Sequence, residues 1–128
     1  MLDAVREETK TIFVDIHAEA TSEKIALGRY LDGKVTAVFG THTHVATADE
    51  KILPGGTAYI TDLGMVGATE SILGRAVDPV VTFFSTGMPT RFNVVKEGME
   101  VNGAVVEYEP DTGQALSIER VRRDWNKE

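Results

Sequence analysis

The spacing of apolar positions changes from stretch to stretch over the first third of the chain, and each spacing predicts an element. Leu2 and Val5 stand among acids and bases, which predicts the closing turns of an amphipathic helix reaching about Lys10. No capping residue precedes it, so the helix is expected to start in mid-element. From Thr11 to Ala18 the pattern alternates. Ile12, Val14 and Ile16 fall on one face and Phe13, Asp15 and His17 on the other, which predicts a strand. Thr21 or Ser22 is expected to cap a second helix, with Glu23 in its first turn and Ile25, Leu27, Tyr30 and Leu31 along it. Asp32-Gly33 should end it, because glycine takes the left-handed conformation without penalty. Val35 to Phe39 is a continuous apolar run, suited to a strand buried on both faces. Strand, helix and strand then make a βαβ unit, which should be parallel and right-handed.

Beyond this unit the pattern predicts mixed and antiparallel strands. Ile52-Leu53 and Ala58 to Thr61 flank the turn Pro54-Gly55-Gly56-Thr57, and Asp62 to Gly67 is a glycine-punctuated loop. Asp78-Pro79 is expected to open a helix that ends before Gly87 and Pro89. Arg91 to Val95, Val101 to Glu109 and Gln114 to Arg122 read as strands, the last two joined by Pro110-Asp111-Thr112-Gly113 as a C-terminal β-hairpin. The fold class is therefore α/β, in one domain or a part of one spanning 1–128. Residues 1–90 carry the motifs and residues 91–128 form a β-rich remainder.

Composition narrows the chemistry. A charged fraction of 26% against 42% hydrophobic is that of a globular protein in water, and no stretch is long and apolar enough to span a membrane. The net charge of −7 argues against a nucleic acid duplex as partner, since only Arg120, Arg122 and Arg123 approach a basic cluster. No secretory core opens the chain and no cysteine occurs, which together suggest a cytoplasmic setting. Without cysteine, imidazole is the strongest transition-metal ligand left.

All the histidines lie in two segments, Asp15-Ile16-His17 and Gly40-Thr41-His42-Thr43-His44. Each segment leaves the carboxyl end of a predicted parallel strand, the edge where α/β sheets bind ligands. Three neutral imidazoles there can bind one metal or share two. Asp15, Glu19, Asp49 and Asp62 are the nearby carboxylates. Asp15 shares a strand face with His17 and is the best placed to orient it, while Glu19 and Glu23 read as surface charges. Thr41 and Thr43 are expected to fold the loop through their hydroxyls. Ser22, Ser71, Ser85 and Ser117 sit in no Gly-x-Ser-x-Gly elbow, and no phosphate-cradling Gly-x-x-x-x-Gly-Lys loop is present, which leaves metal-assisted hydrolysis.

Val14-Asp15-Ile16-His17-Ala18-Glu19-Ala20-Thr21-Ser22-Glu23-Lys24, then Gly40-Thr41-His42-Thr43-His44-Val45, then Thr61-Asp62-Leu63-Gly64-Met65 resemble bacterial metallophosphoesterases of the 2′,3′-cyclic-nucleotide 2′-phosphodiesterase type, within the calcineurin-like superfamily. The likeness runs to about Arg91. It implies the C-terminal half of an αββα sandwich and hydrolysis of a small phosphodiester at a two-metal site. It also implies His17, His42 and His44 as metal ligands, with Asp15, Thr41 and Asp62 supporting them. On this likeness His17 and His42 serve one metal and His44 the other, iron or manganese being the usual occupants and zinc an alternative. The early aspartate, bridging acid, asparagine and Gly-Asn-His segment of such enzymes have no match here. The chain alone is therefore expected to be catalytically poor, with a homo-oligomer or the missing N-terminal half as its partner. Two alternatives remain open: a non-catalytic assembly module, and a domain with a structural three-histidine zinc site.

Overall fold

The alternating stretch after Thr11 and the continuous apolar run after Gly33 become neighbouring parallel strands. A computed structural model of the chain describes residues 2–125. In order, its elements are α1 (Leu2–Glu8), β1 (Phe13–His17), α2 (Thr21–Leu31), β2 (Ala37–Thr41), β3 (Lys51–Ile52), β4 (Ala58–Ile60), β5 (Gly67–Ala68), α3 (Val77–Thr86), β6 (Met99–Tyr108) and β7 (Ala115–Trp125). One sheet has the order β1-β2-β4-β3 and the other β5-β6-β7. The mixed α/β class is as expected. By its contacts the chain forms two compact units, one built on residues up to Gly64 with Gly103–Val121, the other on Met65–Asn102 with the segment from Arg122.

In the first unit β1, β2 and β4 run parallel, and β3 pairs antiparallel with β4 across the Pro54 to Thr57 turn. The βαβ expectation holds. Ile12, Val14 and Ile16 pack with Leu2 and Leu27 against a core of Leu31, Val35, Val38, Leu53 and Tyr59. The opposite face meets the inner part of β6 and β7. Ala37, Ala58 and Ala115 are buried there against Phe39, Val106 and Ile118. Small residues on both sheets let them approach closely, with Phe13 stacked on Phe39 and edge-on to Tyr108 at the rim.

Helix α2 seats on β4 because Gly28 has no side chain. A Cβ at Gly28 would lie 2.5 Å from the buried Tyr59 ring. Neither Thr21 nor Ser22 caps α2. The helix begins at Thr21, after Ala20 in extended conformation and without a side-chain cap. Gly33 is left-handed at φ 74°, as the helix stop requires. In the second unit α3 starts one residue before Asp78 and ends with Gly87 left-handed at φ 69°. Arg91 to Val95 is not a strand: only Val94 bridges, to Arg75, and β6 pairs on one side with the short antiparallel β5. The β6–β7 hairpin forms, closed by the Glu109 amide on the Gln114 carbonyl (2.9 Å) and the Gly113 amide on the Glu109 carbonyl (2.7 Å). No helix among the described residues is long and apolar enough to cross a membrane.

Candidate metal centre

Register decides what the strand ends bring together. Asp15 pairs with Phe39 and His17 with Thr41, so both histidine segments leave the sheet at the same carboxyl edge. Asp15 and His17 stand two residues apart on one exposed face, and the Thr41 hydroxyl reaches both. It lies 2.9 Å from Asp15 Oδ1 and 3.2 Å from His17 Nδ1. A hydroxyl has one proton to give. Given to the carboxylate, it leaves the oxygen to accept from His17 Nδ1–H, and His17 Nε2 is then the bare nitrogen. Asp15 thus orients His17 through Thr41 rather than by touching it. The Thr41 hydroxyl meets the side chains of Asp15 and His17, beside the loop-folding and supporting roles expected of it.

His17 Nε2 faces His42 Nδ1 at 3.0 Å, the rings edge to face with centroids 4.8 Å apart. Two imidazole nitrogens bound at right angles to one ion, each about 2.1 Å from it, lie about 3.0 Å apart. The donor set and its spacing therefore fit a divalent cation of imidazole preference. His44 is exposed and joins no such group: among the described residues no three histidine, aspartate or glutamate side chains gather as a metal cage. The structure brings together a pair rather than the trio. His42 at φ 122° and His44 at φ 65° both occupy the positive-φ side, where side-chain-bearing residues are strained.

Behind this edge lies an ion pair that the sequence pattern did not single out. Lys24 Nζ of α2 and Asp62 Oδ2 are 2.8 Å apart, and both side chains are 0% exposed. Asp62 also accepts the Thr43 amide on Oδ2 (3.0 Å) and the Gly64 amide on Oδ1 (2.9 Å). Burial pushes its carboxyl up, but Lys24 and the two amides outweigh that and hold it below its ordinary 3.8. Asp49 is no metal ligand candidate in this arrangement. It takes the Thr47 hydroxyl (2.7 Å), the Thr61 amide (3.1 Å) and the Thr61 hydroxyl. Burial raises its pKa too, and the Thr61 and Thr47 bonds more than reverse the effect. Glu19 is exposed, as a surface charge should be.

Both carboxylates have folded pKa values below their unfolded ones, so the sign of the linkage is fixed. Their contribution to stability is complete above the ordinary value of 3.8 and is lost as pH falls through the lower folded values. Urea unfolding midpoints are expected to hold level from ~7 down to ~5 and to drop below ~4. The paired change Lys24→Met with Asp62→Asn should flatten part of that drop, and an equally steep drop in the variant would contradict the assignment.

The chain is 50% identical over 115 residues to the 2′,3′-cyclic-nucleotide 2′-phosphodiesterase of Bacillus subtilis (strain 168), covering 90% of this chain and 44% of that one. A crystal structure of a hypothetical protein from Thermus thermophilus superposes with a TM-score of 0.84 at 41% identity, over 96% of this chain and 49% of that one. A structure titled as a novel phosphatase from Mycoplasma pneumoniae does so with a TM-score of 0.84 at 38% identity, over 96% of this chain and 46% of that one. The chain thus spans less than half the length of these relatives. The resemblance carried by the histidine motifs is borne out. With the family model of YmdB-like proteins matching residues 1–121, the chain belongs to the YmdB-like family.

Proposed function

We propose that this chain supplies one part of a metal-dependent phosphodiesterase centre, in a fold completed as an αββα sandwich. The observation that carries the reading is the His17–His42 nitrogen pair, 3.0 Å apart at the carboxyl ends of the parallel strands β1 and β2. His17 and His42 would hold one divalent cation, and His44, set apart from them, a second. Such cations stabilise developing negative charge on a phosphoryl oxygen and lower the pKa of water. The remaining work is done by the chain's own groups. Thr41 and Asp15 keep the His17 proton on Nδ1, so Nε2 offers its lone pair. Asp62 holds the peptide between His42 and His44 in place. The substrate class is a small phosphodiester, by analogy with the name of the Bacillus subtilis relative.

The test uses the 128-residue chain. Calorimetric titration with Zn²⁺, a tight imidazole binder, should give saturable binding that His42→Ala weakens at least ~10-fold. Hydrolysis of bis-p-nitrophenyl phosphate with Mn²⁺ should be absent for the chain alone and appear when the remaining part of a family member is added. Absence of cation binding, or activity indifferent to His42→Ala in the mixed sample, would overturn the reading. A binding surface is favoured by a separate observation. Helix α3 buries only Val80, and Phe84 beside it is 79% exposed. Apolar faces of this kind normally contact another polypeptide. Light scattering of the chain alone should show self-association that Phe84→Ser relieves, and a strict monomer at all concentrations counts against it.

A further inference from the structure

We propose that the buried Lys24–Asp62 pair is the positioning element of the His42-Thr43-His44 segment. The inference rests on the metal-centre reading above and deepens it. Two residues with side chains sit at positive φ in that segment, His42 and His44, with Thr43 between them. Strained backbone of this kind persists only where the surroundings over-determine it. Here the determining contact is the Thr43 amide on Asp62 Oδ2 at 3.0 Å. The same carboxylate fixes the following loop through the Gly64 amide, and its own backbone is clamped by Thr47, whose amide donates to the Asp62 carbonyl at 3.0 Å and whose hydroxyl accepts the Asp62 amide at 2.9 Å. Thr43 ties off the far side by bonding its hydroxyl to the Val45 carbonyl and accepting the Val45 amide.

A neutral acceptor would bind these amides less strongly than an anion does. A lone carboxylate at that depth would be unstable, and Lys24 supplies the opposing charge from the core face of α2. Buried ion pairs are poor devices for stability, since apolar pairs of similar volume often do as well. What the apolar pair cannot do is hold two backbone amides. Lys24 and Asp62 thereby set the direction in which His42 and His44 leave the sheet edge, without either touching a cation or a substrate.

The test compares wild-type chain with Lys24→Met/Asp62→Leu, which removes charge and acceptor, and with Lys24→Met/Asp62→Asn, which keeps one neutral acceptor oxygen. Zn²⁺ affinity is expected to fall about 10- to 100-fold in the leucine variant and by less in the asparagine variant. In metal-free samples, hydrogen exchange at the Thr43 amide should accelerate while the buried Val38 amide keeps its protection. Affinity within about two-fold of wild type, or a loss of protection at Val38 that matches the loss at Thr43, would overturn the proposal. If the leucine variant does not fold, the asparagine variant decides by the same two readouts. Should wild type bind no Zn²⁺, the metal-centre reading fails on its own, and selective exchange at Thr43 still decides the positioning role.

Discussion

Gly40→Ala is expected to cost the chain about 3 kcal/mol or more of folding stability, or to prevent soluble expression. A Cβ at this position of β2 would overlap the Thr61 carbonyl oxygen and press on Lys24 Cδ at 2.9 Å. Backbone on one side and a fully buried side chain on the other leave no flexible tip to give way. The strain would also reach the site. Gly40 accepts the Leu63 amide at 2.8 Å, so moving β2 away from Thr61 displaces Asp62 between them. Gly103→Ala is the matched control, because a Cβ there meets nothing within 4 Å. Its unfolding free energy should stay within ~0.5 kcal/mol of wild type. Equal midpoints for the two variants would show that the β2–Thr61 approach is looser than described.

The elements written into local spacing were legible in the sequence. The alternation at Ile12, Val14 and Ile16 is set by the strand itself, and Gly33 and Gly87 mark helix ends by a property of one residue. From these the parallel pairing and the shared edge of His17 and His42 followed, since a helical crossover returns the chain to start the second strand at the same end as the first. Features defined by distant partners were not legible. The two residues of β5 are a strand only because Glu100 and Met99 lie opposite, and Arg91 to Val95 lacks such a partner beyond Arg75 at Val94. Thr41 as the link between Asp15 and His17 needed the register of two strands. His44 looked equivalent to His42 by spacing, but positive φ at both residues breaks the strand geometry on which that equivalence depended.

Lys24 was the largest omission, and its signal was present. It falls at helical spacing with Gly28 and Leu31, the other buried residues of α2. A lysine on the core stripe is normally excluded by desolvation. What permits it is a carboxylate 38 residues further on, which no local pattern can announce.

Lys24→Met alone is expected to destabilise far more than either paired change, by about 3–5 kcal/mol near neutral pH, because it strands the Asp62 charge in the core. The pH dependence identifies the cause. In wild type, burial raises the Asp62 pKa and Lys24 with the Thr43 and Gly64 amides brings it below 3.8, so acidification removes stability. Without the ammonium the foremost of the lowering influences is gone and burial, the largest single one, is less opposed. The folded pKa then moves up, and protonation relieves the penalty. The stability gap between variant and wild type should thus be widest near pH 7 and close progressively as pH falls toward ~4. Restoring neutrality with Asp62→Asn in the Lys24→Met background should recover much of the loss at pH 7 and little at acid pH. A gap of constant size across that range would mean that Lys24 acts through the packing of its methylene stem, with Asp62 no more than a neighbour.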